Sequence, residues 1–188
     1  MKNSIYWTIA AMLSVYVMSC GPGDPLDAGW AKFGEGDYPG AYAEFSSLVE
    51  SEGSGAYVGL GWTTMKMDSL SEADTYFSLA ADDSLLEGYA GWSILAWLQG
   101  QHTLCIDRAE FVFSHAGGYS TYVFPYDPSI TYQDLLLHEG FSYYYNLNFA
   151  KCIDTVQRID PAFSVALNDP NLQTILLAKL QALTVEYN

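Results

Sequence analysis

A pattern that returns at a fixed interval constrains this chain more than anything else in it. Ala41 and Phe45 are followed by Ala73 and Phe77 (73 − 41 = 77 − 45 = 32), and Cys105 takes the Ala slot once more (105 − 73 = 32). Tyr57 and Gly59 recur at the same spacing as Tyr89 and Gly91. Such a period marks a stack of similar supersecondary units, each unable to bury its apolar face alone. It fixes architecture far more closely than activity.

Within the period, Gly36-Asp37-Tyr38-Pro39-Gly40-Ala41 leads into Phe45 and Leu48. Ala41 must be small for its helix to approach the preceding one, and Phe45, one turn on, fills the gap between units. The second unit offers Leu60-Gly61, Ala73, Phe77 and Ala80, and the third offers Tyr89, Gly100 and Cys105. A fourth shows in Gly140, Tyr143, Phe149, Cys152, Val156 and the closing Asp160-Pro161. The series resembles the tetratricopeptide repeat over roughly residues 25–161. That resemblance implies an all-α, TPR-like helical-hairpin solenoid of about four units with a C-terminal capping helix. The match has departures: Ala109 stands where the family has a large residue, and Glu139 where it has Leu. The period of 32 is also shorter than the usual value of about 34, which implies trimmed turns. A generic all-α bundle is the competing reading.

Between the third and fourth units the interval is 152 − 105 = 47, longer than the period by 15 (47 − 32). The surplus falls in an insert at about 114–131, which carries Gly117, Gly118, Pro125 and Pro128 among Tyr119, Tyr122, Phe124 and Tyr126. Asp169-Pro170 reads as an N-cap followed by proline at the first helical position. Leu172, Ile175, Leu176, Leu180, Leu183 and Val185 then give a helical apolar stripe, so a cap helix is expected at about 170–187.

The N-terminal stretch reads as an address. Lys2 is the one charge before an apolar-leaning run from Ile5 to Met18, the pattern of a secretory signal over residues 1–19. The run is short against the roughly 20 apolar residues a bilayer span needs. Val17-Met18-Ser19-Cys20 resembles the lipobox of bacterial lipoproteins, which implies cleavage before Cys20 and a covalent lipid on it as the sole attached group. Several acyl chains, at about 0.8 kcal/mol per buried CH₂, hold a protein on a membrane almost permanently. Residues 20–27 form a flexible tether through Gly21-Pro22-Gly23-Asp24-Pro25, and 28–188 form the repeat domain. Gly21 after the cysteine, by analogy with enteric bacteria, points to the outer membrane of a bacterial cell envelope. An ordinary secretory signal or uncleaved anchor with an incidental Cys is the alternative.

All 22 acidic residues lie beyond the signal, against six Lys/Arg once Lys2 is gone (7 − 1 = 6), giving 6 − 22 = −16. A field of that sign repels phosphate backbones and anionic headgroups, which argues against nucleic acid as a partner. Scattered acids also simply solvate an exported protein, and they would attract a basic partner. Catalysis has little support. His102, His115 and His138 show no i, i+4 pairing, and no phosphate loop, Ser elbow or zinc motif accompanies them. No catalytic residue, metal site or further cofactor is therefore assigned. Asp82-Asp83-Ser84 with Glu87 reads as a loop and capping box without the spacing of a calcium loop. Cys105 and Cys152 hold the same slot in neighbouring units. A helix-packing distance of roughly 8–10 Å exceeds the limit of about 7 Å between disulfide-linked Cα atoms, so two buried free thiols are expected.

In arrays of the resembling family, the first helix of each unit lines an inner groove that binds extended peptides. Transferred to this chain, the groove column is Trp30, Trp62, Ile94 and Phe141, with Phe33, Met65, Trp97, Tyr144 and Tyr145 one turn along. The Lys, Arg and Asn that clamp C-terminal carboxylates in that family are almost absent here. An aromatic groove suits apolar peptide side chains or the faces of sugar rings; the same residues also suit a plain core, and the insert or last helix could fill the space. The leading expectation is a membrane-anchored, non-enzymatic scaffold that binds another envelope protein or peptide through this groove. A surface carbohydrate-binding lipoprotein and a purely structural one are the alternatives.

Overall fold

The computed structural model describes residues 23–118 and 120–187; the expected signal segment, Cys20 and Tyr119 of the insert lie outside the described residues. Among the described residues the chain forms nine α-helices. They are α1 (Asp27–Gly34), α2 (Tyr38–Glu52), α3 (Ser54–Lys66), α4 (Leu70–Ala80), α5 (Leu86–Leu98), α6 (His102–His115), α7 (Tyr132–Tyr145), α8 (Phe149–Ile159) and α9 (Leu172–Tyr187). The one extended pairing described is an antiparallel bridge between Val123 and Thr131. No described helix is long and apolar enough to cross a membrane.

Helices pair as α1/α2, α3/α4, α5/α6 and α7/α8, an all-α hairpin solenoid of four units, and α9 closes the far end against α7 and α8. The hairpins share one turn. In residues 35–37, 67–69, 99–101 and 146–148 the middle position has positive φ: Gly36 at 80°, Asp68 at 61°, Gly100 at 69° and Leu147 at 58°. The following amide reaches back five residues each time, as Asp37 to Lys32, Ser69 to Thr64, Gln101 to Ala96 and Asn148 to Tyr143. This closes each first helix with the same left-handed cap and satisfies carbonyls that would otherwise lack donors. Asp37 and Asn148 then cap the second helices by accepting from Gly40 N (3.0 Å) and Lys151 N (3.3 Å).

Those turns put Ala41, Ala73, Cys105 and Cys152 at the fourth position of α2, α4, α6 and α8, and all four are fully buried. Both cysteines are free thiols. One turn later, Phe45 and Phe77 are wedges. A Cβ added at Gly29 or Gly59 would lie 2.5 Å from the Phe45 ring, and at Gly91 2.5 Å from Phe77. Each phenylalanine thus fills a notch cut by glycines in its own first helix and in that of the next unit. Gly59 and Gly91 recur because the ring beneath leaves no room for a methyl group.

Residues 120–131 do not hang free. Phe124 is fully buried and stacks on Trp62 (4.1 Å between ring centroids, 19° between planes), and Tyr126 stacks on Trp30 (3.8 Å, 2°). The loop closes on itself through Phe124 N to Ile130 O (2.8 Å) and Tyr132 N to Tyr122 O (3.0 Å). Lys66 of α3 pairs with its Asp127 at 3.3 Å. Thr131 and Asp134 form a capping box that starts α7. The expected box at Ser84 is absent: Ser84 adopts φ 54° after a 3₁₀ turn, and α5 begins at Leu86 without a side-chain cap. α9 begins at Leu172, and Asp169 instead accepts from Asn171 N (2.7 Å).

The boundary of α6, α7 and α8 is polar at one point. Glu139, in the position where a Leu was expected, is fully buried. Its Oε2 accepts from Thr155 Oγ1 (3.0 Å) and lies 3.5 Å from Arg158 Nη1, which stands 3.6 Å from Glu110. Its Oε1 is buried without a hydrogen-bond partner. Burial, then the nearby Glu110 carboxyl, push the Glu139 carboxyl up to about 8, so Glu139 keeps its proton at neutral pH.

Candidate functional site

The inner surface of the first helices is covered at one end and open at the other. Trp30 and Phe33 of α1 and Trp62 of α3 are buried beneath Phe124 and Tyr126 of the loop. Trp62 Nε1 donates to the Glu87 carbonyl at 2.8 Å, so its polar edge is satisfied inside the protein. These three, expected as groove residues, are core. The reason is the loop: its rings take the places a ligand would need.

Beyond the loop the surface opens. A cavity of about 470 Å³ lies between α5, α7 and α9, lined by Trp97, Leu137, His138, Phe141, Tyr145 and Val185 among others. A second, of about 290 Å³, lies beside it toward α3 and is lined by Trp62, Met65, Lys66, Ile94 and Leu98; Asp134 and His138 border both. Six of the expected groove residues line these two spaces: Met65, Ile94, Trp97, Phe141 and Tyr145, with Trp62 as a buried wall of the second. Tyr144 does not; it is half-buried, edge-on to Tyr145 and packed near Phe149.

The rings form a platform. Trp97 lies 5.4 Å from Phe141 and 6.1 Å from Tyr145, parallel to His138 at 5.4 Å and 17°, while His102 stacks on Tyr145 at 4.9 Å and 15°. Tyr145 is 53% exposed and Val185 83% exposed, so both walls offer apolar surface to a visitor. Burial lowers the His138 imidazole to about 4, against a smaller opposing pull from Asp134, and burial also lowers His102. Both rings are neutral at pH 7 and act as apolar planes. The Asp134 carboxylate stays beside them, with Oδ2 taking Thr131 N (2.7 Å) and Thr131 Oγ1 (3.1 Å). Among the described residues no group of three or more His, Cys, Asp or Glu side chains is placed to hold a metal ion.

Sequence reasoning missed Asp134, Leu137, His138 and the α9 wall of Leu177, Gln181, Thr184 and Val185. The signal for His138 was present: it stands 47 residues after Gly91, the interval between the third and fourth units. The α9 wall had no such marker, because the cap lies outside the repeat. No protein-family model matches this chain, and no curated protein is significantly similar to it.

Proposed function

We propose that this protein is a membrane-tethered, non-enzymatic scaffold whose open inner face holds a segment of another envelope protein. The observation that carries the reading is the aromatic cavity of about 470 Å³ between α5, α7 and α9, which shares Asp134 and His138 with the space of about 290 Å³ beside it. Pockets of this size, apolar with a few polar groups, are the usual form of a binding site. The tether, the lipid on Cys20 and the outer-membrane location rest on the Val17-Met18-Ser19-Cys20 resemblance, and the kinship with tetratricopeptide repeats rests on the residue pattern. A purely structural lipoprotein would have its concavity filled throughout, whereas here the loop covers Trp30, Phe33 and Trp62 and leaves the cavity between α5, α7 and α9 open. The exposed face of Tyr145 beside Trp97 also suits a sugar ring, which keeps carbohydrate as the second reading.

Affinity capture from solubilised membranes tests the main reading. The intact protein is expected to retain specific envelope proteins that a Trp97→Ala/Phe141→Ala variant loses, with helicity unchanged. A wild type that retains nothing reproducible, or a variant that retains everything, removes it. Binding of neutral polysaccharides that quenches tryptophan fluorescence would favour the second reading. Metabolic palmitate labelling that persists in Cys20→Ala would remove the lipid anchor.

A further inference from the structure

Resting on the scaffold reading, we infer that the cavity between α5, α7 and α9 receives an arginine or lysine side chain from a basic segment of the partner protein. The first reason is the make-up of the walls. Trp97, Phe141 and Tyr145 present ring faces at spacings of 5.4 and 6.1 Å, and ring faces attract a cation placed within about 6 Å. Among the described residues the lining holds no Lys or Arg, and its one carboxylate is Asp134.

The second reason is the direction of the helices. Trp97 belongs to the last turn of α5, Tyr145 ends α7, and Thr184 and Val185 belong to the last turn of α9; none of those three turns carries a basic residue. The C-terminal end of a helix carries partial negative charge. α6 and α8 begin after turns of residues 99–101 and 146–148, and their N-termini offset part of the field from α5 and α7. α9 has no such neighbour among the described residues, and Glu186 in its final turn adds to the charge.

The third reason is that nearby lysines are already engaged. Lys66 is held by Asp127 at 3.3 Å and Lys179 by Asp160 at 2.7 Å. With a formal charge of −15 on the whole chain, the long-range field is negative, and the lining itself carries the Asp134 carboxyl and no basic side chain. A cation with an apolar stem fits such a place, and an acidic segment is repelled.

The experiment uses the full-length protein in detergent and a fluorescein-labelled peptide alternating Leu and Arg, with twins carrying Glu or Gln in place of Arg. The Arg peptide is expected to bind about tenfold more tightly than either twin, and to weaken as salt rises. Trp97→Leu keeps the apolar bulk and removes the ring face, and Gln181→Lys places a positive charge on the exposed wall of α9. Each should weaken the Arg peptide by about tenfold while leaving the Gln twin little changed. The inference falls if no peptide binds, if the twins bind equally well, or if the Arg peptide ignores both substitutions, which would mean attraction to the acidic surface at large. If membrane capture still depends on Trp97 while the Arg peptide does not, the scaffold stands and its cationic ligand falls.

Discussion

Replacing Glu139 by Gln should stabilise the protein increasingly as pH rises, because the native fold keeps a proton there that the unfolded chain releases. The ordinary carboxyl value is 4.5, and burial beside Glu110 pushes Glu139 up to about 8. Between these values the native state binds more protons than the unfolded state, so its stability is fully present below 4.5 and declines as pH climbs toward 8. At about 1.36 kcal/mol per unit, the interval from 4.5 to 7 costs roughly 3 kcal/mol, and nothing further is lost above about 8. Glutamine has the same shape and no charge. It can still accept from Thr155. Urea unfolding of both proteins at pH 5, 6, 7 and 8 should show similar stability at the acid end and a gap that widens by up to about 1.4 kcal/mol per unit. The subtraction removes the general repulsion among the other acids. Parallel stability curves, or a Gln variant weaker than wild type at pH 8, would refute the retained proton.

Phe124→Ala should cost about 3–5 kcal/mol and shift tryptophan emission to the red as water reaches Trp30 and Trp62; an unchanged spectrum would mean the loop is not their cover. Leu147, 70% exposed at φ 58°, should gain about 0.5–1 kcal/mol on replacement by Gly, and a lower melting temperature would contradict this. In a Cys20→Ala protein, Cys105 and Cys152 should resist thiol reagents until urea opens the fold, since burial raises both thiols, Cys152 to about 12. Rapid labelling of the native protein would show that the slots are not closed.

The hairpin array was legible because its spacing is enforced by contacts that repeat. Ala41, Ala73, Cys105 and Cys152 had to recur because each lies fully buried where two helices touch, and Gly59 and Gly91 because a ring lies beneath them. The shared turn was only half visible: Gly36 and Gly100 announced it, while Asp68 and Leu147 adopt the same φ without the residue type that advertises it. A capping box reads as readily at Ser84 as at Thr131, since a short polar side chain followed by an acid looks the same in either place until the backbone angle is known. For the site, the aromatic column could be named but its cover could not. Phe124 and Tyr126 lie far along the chain from Trp30 and Trp62, and an aperiodic loop carries no mark of where it lands. Glu139 looked like a defect in the pattern because its partners, Thr155 and Arg158, come from α8.

The loop of residues 120–131 also acts as a ruler. A stack joined only through adjacent units can gain or lose a member in the middle without either end noticing. Here Phe124 and Tyr126 must reach Trp62 and Trp30 from the start of α7, so the separation between the first hairpin and the fourth is set by a tether of fixed reach. Duplicating a hairpin between them would pull those rings from their seats and bare both tryptophans. The count of hairpins between Trp30 and the loop is therefore locked, and lengthening is open only outside that span.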